Sequence, residues 1–126
     1  MERSTVRRPA GISRLIDSYV ALPDGWDGEE GQPTLPETAA FAKAILERVS
    51  SQGTKAGLRW RRPQVAPSGD GGVDLSWKVD DRQALLIVYA DQIVCVTRRS
   101  GADKPTRAIE SVGDAVDQVL MVFGKQ

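Results

Sequence analysis

The spacing of apolar residues changes twice along this chain, and this change constrains the fold more than any other feature. In residues 12–19, and again in residues 41–49 after a loop rich in glycine and proline, apolar side chains recur every three or four residues, which places them on one face of a helix. Between 73 and 97 they alternate with polar residues or form short runs, as in β-strands. Helical spacing returns between 112 and 123. This order predicts an α+β domain: an antiparallel β-meander of four to five strands with helices packed on one face.

Local signals predict where the helices begin and end. Thr34 followed three residues later by Glu37 is a capping-box pattern, so the second helix should begin near Leu35. The serines and the glycine in residues 50–53 predict its end. Ser111 is the predicted cap of the third helix.

Alternation and apolar runs predict the strands. Residues 73–79 alternate strictly, and residues 84–97 form two apolar strands joined by a short turn. Leu58 and Trp60 alternate with arginines and predict an earlier strand, which a following proline limits to a sheet edge. Residues 108–109 predict a short fifth strand.

Length and charge bound the organisation. The chain has 126 residues, so we expect a flexible basic arm at residues 1–8 and a single α+β domain at residues 9–126. Lys plus Arg and Asp plus Glu are both 17, and a net charge of zero argues against a dedicated polybasic nucleic-acid binder.

The inventory of reactive side chains argues against catalysis. The chain has no histidine, which removes the commonest general base and the commonest metal ligand. Its single cysteine, Cys95, stands between two valines and is predicted to be a small buried side chain. We therefore expect no enzyme activity, no catalytic residues, no metal site and no cofactor.

The sequence also predicts the compartment. Its longest apolar run, residues 84–90, is far shorter than the ~20 residues of a membrane-spanning helix, and its start lacks a secretory signal. We therefore expect a cytoplasmic protein with no membrane contact.

The loop between the first two helices is the most distinctive segment. Asp24, Trp26 and Asp27 lie in the stretch LPDGWDG, which is followed by two glutamates. One interpretation is structural, with Trp26 tucked beside the sheet and glycines supplying positive φ. The second is an interface in which an exposed Trp26 is framed by acidic residues. A metal site is a third and weaker interpretation, because the carboxylates lack the spacing of a calcium loop.

A second candidate surface is basic. Arg59, Arg61 and Arg62 surround Trp60, and cations beside an aromatic residue are typical of nucleic-acid binders. The alternative is a solvated edge strand whose charges discourage pairing between sheet edges. The later segment SGDGG, residues 68–72, is interpreted as a turn rather than a phosphate-binding loop, because a strand pattern follows it.

The stretch GWDG at residues 25–28, a proline-opened helix and the later pattern GGVDLSW at residues 71–77 resemble small, largely uncharacterised bacterial proteins that share a GWDG loop. The resemblance covers roughly residues 12–97. It implies a bacterial or phage origin and a compact accessory protein, and it supplies no catalytic residue, cofactor or substrate.

Together these features favour a non-enzymatic protein-binding module, such as an accessory, antitoxin or immunity-type subunit of a bacterial multi-gene system. Its partner would be another protein encoded nearby, contacted through Asp24, Trp26 and Asp27 or by strand addition near the arginines. Two alternatives stay open: nucleic-acid binding by Arg59, Arg61 and Arg62, and binding of a small molecule or nucleotide. The sequence also leaves a homodimer open.

Overall fold

A computed structural model describes residues 8–26, 28–29, 31–59, 61–99, 102–103, 107–109 and 111–124. The elements follow the order helix, helix, strands, helix that the apolar spacing predicts. They are α1 (Arg8–Val20), α2 (Pro36–Lys55), β1 (Gln64–Pro67), β2 (Val73–Val79), β3 (Arg82–Val88), β4 (Ile93–Arg99), β5 (Ala102–Asp103), β6 (Arg107–Ile109) and α3 (Val112–Gly124). Residues 1–7 of the expected basic arm lie outside the described residues, and its last residue, Arg8, begins α1.

The sheet is an antiparallel meander in the order β1-β2-β3-β4, as predicted. The two short strands β5 and β6 both pair with β4, and β6 corresponds to the predicted fifth strand. Asp80 and Asp81 form the tight turn between β2 and β3, where Asp80 adopts a φ of 57°. Aspartate tolerates this left-handed conformation better than most residues do.

The helices cover one face of the sheet because strand alternation brings its apolar residues there. Leu75, Leu86 and Cys95 stand opposite one another on β2, β3 and β4, and all three are buried. Both α2 and α3 pack against this side of the sheet, while α1 packs against α2 and beside β1. Trp77 and Phe123 meet edge to face, with ring centroids 6.3 Å apart. The core therefore lies between a three-helix layer and one sheet face.

The start of α2 differs from the capping-box prediction. Leu35 occupies the N-cap position and gives no side-chain hydrogen bond, and Pro36 opens the helix. Thr34 lies one position too early to cap, and its buried hydroxyl has no hydrogen-bond partner. The proline decides the register, because it is favoured in the first helical turn and disfavours a helical residue before it.

The end of α2 also differs from the prediction. The helix continues through Gly53 to Lys55, and Gly57 then adopts a φ of +79°. The N–H groups of Gly57 and Leu58 donate to the carbonyls of Thr54 and Gly53, which is the Schellman arrangement. Gly53 is a packing residue, since a Cβ there would lie 3.5 Å from the Leu120 side chain of α3.

The predicted strand at Leu58 and Trp60 is wrong for the residues that the structure describes. Leu58 belongs to the helix terminus, Arg59 and Arg61 are not in a strand, and β1 begins only after Pro63. The indole N–H of Trp77 donates to the carbonyl of Arg61 at 3.1 Å. A side chain therefore satisfies a backbone group that a strand neighbour would otherwise satisfy.

In the described part of the chain, no helix has the combined length and apolar character that crossing a bilayer requires.

The two leucines at the middle of β3 test the one-sided layering. Leu86 is fully buried beneath the helices, whereas Leu85 is half-buried on the opposite face. We expect Leu86→Ala to lower the free energy of unfolding by about 2–5 kcal/mol, because it leaves a cavity. We expect Leu85→Ala to lower it by about 1 kcal/mol, because less surface is lost from contact. Urea unfolding of dilute protein measures both, and equal losses would contradict the layering.

Candidate functional site

The connection between α1 and α2, residues 22–35 and here called the Trp26 loop, is closed by hydrogen bonds across its base. The backbone N–H of Gly25 donates to the carbonyl of Gly31 at 2.7 Å. The indole N–H of Trp26 donates to the carbonyl of Gln32 at 2.8 Å. Gly25 and Gly28 have φ values of +73° and +83°, as the structural interpretation of this loop expects. The loop is therefore an ordered element over its described residues.

The Trp26 loop is also attached to its neighbours. The N–H of Gln32 donates to the carbonyl of Gly69 at 3.0 Å, and Gln32 forms a parallel bridge with Asp70. The N–H of Thr34 donates to the carbonyl of Tyr19 at the end of α1. These bonds hold the loop against the hairpin between β1 and β2 and against the end of α1.

That hairpin is organised around the carboxylate of Asp70. Ser68 donates its hydroxyl to Asp70 Oδ1 at 2.6 Å, and Tyr89 donates its hydroxyl to Asp70 Oδ2 at 2.8 Å. Burial acts to raise the pKa of Asp70, but the hydrogen bonds from Ser68, Tyr89 and the Gly72 N–H outweigh it and lower that pKa. The residues 68–72 form a turn as predicted, with the N–H of Ser68 donating to the carbonyl of Gly72.

Tyr89 lies against Gly72 at this end of the sheet. A Cβ on Gly72 would come within 3.0 Å of both Tyr89 Cε1 and the carbonyl oxygen of Val88. The glycine therefore leaves the space that the tyrosine ring occupies. Burial, the hydrogen bond to Asp70 and the negative charges of Asp70 and Asp74 raise the pKa of Tyr89 to about 12.

The outer surface of the Trp26 loop forms an open groove of about 600 Å³, here called the loop groove. Asp24 and Glu29 supply its charged lining, and Leu35 supplies its large apolar side chain. Leu35 is 53 % exposed. An apolar residue with acidic neighbours on a braced loop is an arrangement that suits contact with another protein.

The structure places the predicted loop residues differently from one another. Asp24 is exposed and lines the loop groove. Trp26 is half-buried, and its indole N–H donates to the carbonyl of Gln32 within the loop. Asp27 lies outside the described residues. Among the described residues, no three His, Cys, Asp or Glu side chains are grouped so that they could hold a metal ion.

The predicted arginines lie at the other end of β1. Arg59, Arg61 and Arg62 are all exposed, while Trp60 lies outside the described residues. Arg62 borders a second open groove, of about 560 Å³, that follows β1. The seven-residue strand β2 separates the arginine end from the Trp26 loop by about 20 Å. The structure therefore does not bring the two predicted surfaces together.

Sequence reasoning missed Leu35, Asp70 and Tyr89 as parts of this region. A signal for Leu35 was present, because a leucine directly before Pro36 stands at the N-cap, where polar residues are preferred. No local pattern links Asp70 to Tyr89, because strand pairing brings them together from 19 residues apart.

Comparisons of the chain with protein-family models, with curated proteins and with solved structures find no match. The GWDG resemblance therefore stays a prediction.

The substitution Gly72→Ala tests the close packing at Tyr89, and Gly11→Ala serves as its control. Gly72→Ala places a methyl group against the tyrosine ring and a carbonyl, so we expect a loss of about 1–3 kcal/mol in unfolding free energy. Gly11→Ala in α1 meets no atom within 4 Å, so we expect a gain of up to about 1 kcal/mol. Thermal and urea unfolding measure both changes. A Gly72→Ala variant that is as stable as the wild-type protein would contradict this packing.

The pKa of Tyr89 tests the bond to Asp70. The pKa of Tyr89 is raised from 10.0 to about 12, so the protonated hydroxyl stabilises the folded state. This contribution to the free energy of unfolding is complete below pH 10 and is lost as the pH rises to 12. In a Tyr19→Phe background, where Tyr89 is the remaining tyrosine, Asp70→Asn should lower this pKa toward 10 because it removes a nearby negative charge. Tyrosinate absorbance measures it. Asp91→Asn is the exposed control, and an equal effect of both variants would contradict the assignment.

Proposed function

We propose that this protein is a non-enzymatic protein-binding module, an accessory, antitoxin or immunity-type subunit of a bacterial multi-gene system, and that the loop groove contacts its partner. The proposal takes the cytoplasm as the compartment, on the sequence grounds given above. Leu35 is the observation that carries it: a half-exposed leucine at an N-cap, where it gives the helix no hydrogen bond.

Leu35 works against the stability of the chain in which it stands. Serine, threonine, aspartate or asparagine at the N-cap stabilises a helix by about 0.5–2 kcal/mol relative to apolar residues. Leu35 forgoes that gain and also exposes apolar surface in the loop groove. A departure from a local folding rule is typical of a functional position.

The surroundings of Leu35 suggest the chemistry of the partner. Asp24 and Glu29 line the same groove, so the surface combines an apolar side chain with negative charge. A complementary segment would present an apolar residue next to lysine or arginine side chains. The hydrogen bonds that close the Trp26 loop favour binding, because a surface that is already ordered loses less entropy on association.

The alternatives have less support. The arginine end of the sheet also carries Asp80 and Asp81 in the β2–β3 turn, which offset positive charge that a nucleic-acid site would need. Strand addition at β1 is restricted, because this edge strand has four residues, follows Pro63 and ends at Pro67. Both grooves are open surfaces, whereas small-molecule sites usually enclose most of the ligand.

The substitution Leu35→Ser separates binding from folding. We expect it to raise the free energy of unfolding by about 0.5–1 kcal/mol, because serine caps α2. We also expect it to weaken co-purification with the products of neighbouring genes at least tenfold, because the apolar contact is lost. The matched control is Met121→Gln on α3, which removes an exposed apolar side chain (67 % exposed) away from the groove.

Quantitative co-purification from the native host, followed by mass spectrometry, reads out both variants. A partner captured equally by the wild-type protein and by Leu35→Ser would overturn the assignment of the loop groove. A partner lost equally with Met121→Gln would point to non-specific hydrophobic capture instead.

A further inference from the structure

The face of the sheet away from the helices carries an apolar patch. Leu85 and Ile87 of β3 stand opposite Val96 and Val94 of β4, and all four side chains are half-buried. These four residues are called the open-face patch. The other face of β3 is equally apolar, because Ala84, Leu86 and Val88 lie in the core. A strand that is apolar on both faces is typical of a sheet covered on both sides, whereas α2 and α3 cover only one side here.

A carboxylate without a partner borders the patch. Asp74 stands opposite Ile87 on the same face, and its Oδ1 atom is buried without a hydrogen bond. A buried charged oxygen that lacks a donor is costly, so such groups are normally paired. Burial, and to a lesser extent the negative charge of Asp70, raises the pKa of Asp74. Within the part of the chain that the structure describes, this oxygen has no hydrogen-bond donor, while Asp74 as a whole is only partly buried and lines the groove that follows β1.

The charges on this face are separated along the strands. Asp74 lies at the end of β2 nearest the Asp70 hairpin, and Lys78 lies four residues further along β2 on the same face, exposed to solvent. At ~3.3 Å per residue the two positions are about 13 Å apart, with Ser76 and Leu85 paired halfway between them. The face thus runs from an acidic end, across apolar residues, to a basic end.

We propose that this face binds the same face of a second copy of the chain. The two-fold axis would lie in the space between the two stacked sheets and would run perpendicular to the strands. Along the strands, it would pass at the position of the Ser76 and Leu85 pair. This arrangement reverses the strand direction of one copy relative to the other, so each Asp74 meets Lys78 of the partner subunit. Sheets pack about 10 Å apart, a distance that a lysine side chain helps to span.

The arrangement of the charges indicates that a second copy of this chain covers the open face. An isologous contact requires a surface that is complementary to itself after a half-turn. The row of Ser76 and Leu85 maps onto itself, while the acidic row and the basic row exchange places. The four meander strands measure roughly 20 Å by 20 Å, or about 400 Å² on each copy, which is below the ~800 Å² per partner of a standard specific interface. A dimer that dissociates on dilution is therefore expected.

Charge reversal on the two residues tests the proposal. We expect Asp74→Lys and Lys78→Asp each to raise the dimer dissociation constant at least about tenfold, because the two-fold axis makes every change count twice. Mixing the two variants should restore association as a one-to-one heterodimer. One copy then carries lysine at both positions 74 and 78, and the other copy carries aspartate at both. Sedimentation velocity over a wide concentration range, with native mass spectrometry of the mixture, measures these states.

Two controls keep the outcome clear. Asp117→Lys on α3 is an exposed charge reversal away from the sheet and should dimerise as the wild type does. If Asp74→Lys fails to fold by circular dichroism, Lys78→Asp alone decides, because Lys78 is exposed. Leu35→Ser should leave dimerisation unchanged, so failure of the loop groove and failure of this interface can be told apart.

A wild-type chain that stays monomeric at millimolar concentration would overturn the proposal. So would single variants that dimerise like the wild type, or a mixture of the two variants that does not associate.

Discussion

The burial of Trp77 holds the separate parts of this fold together. Its side chain is 1 % exposed and sits on the sheet face that the helices cover. The ring packs edge to face with Phe123, which ties β2 to α3. The indole N–H donates to the carbonyl of Arg61, which ties β2 to the segment leading out of α2. One large side chain thus supplies apolar area to the core and a donor to a backbone group that lacks a strand neighbour.

The meander topology determines how the surface is divided. Short turns reverse each strand, so residues from distant parts of the sequence share one end of the sheet. Asp70, Tyr89 and the Trp26 loop come together at one end, where hydrogen bonds connect them. The arginines and Lys78 lie toward the other end. Two proposed interfaces follow from this division, because the loop groove and the open face occupy different parts of the molecule.

Both proposals begin from residues that break a local rule of folding. Leu35 exposes apolar surface at a position that favours a capping side chain, and Asp74 buries a carboxylate oxygen without a donor. Under the two proposals, a partner would cover the leucine, and a second copy of the chain would place a lysine beside the carboxylate group.

Sequence reasoning was most successful where one local rule acts alone. Gly25 and Gly28 have the positive φ that the structural interpretation of the loop expected. The Ser111 hydroxyl, the predicted cap of α3, accepts a hydrogen bond from the Asp114 N–H. It failed where two local rules compete. At the start of α2 the proline sets the N-cap one residue later than the Thr34 capping box would.

The sequence by itself determined the class of fold, because the period of apolar residues differs between helices and strands whatever their partners are. It also determined the turn at residues 68–72, because glycine, proline and aspartate restrict or widen the backbone locally. Only the tertiary structure decided which groups meet. The bond from Tyr89 to Asp70, the orphaned oxygen of Asp74 and the exposure of Leu35 depend on strand register and packing, which residues far apart in the chain set together.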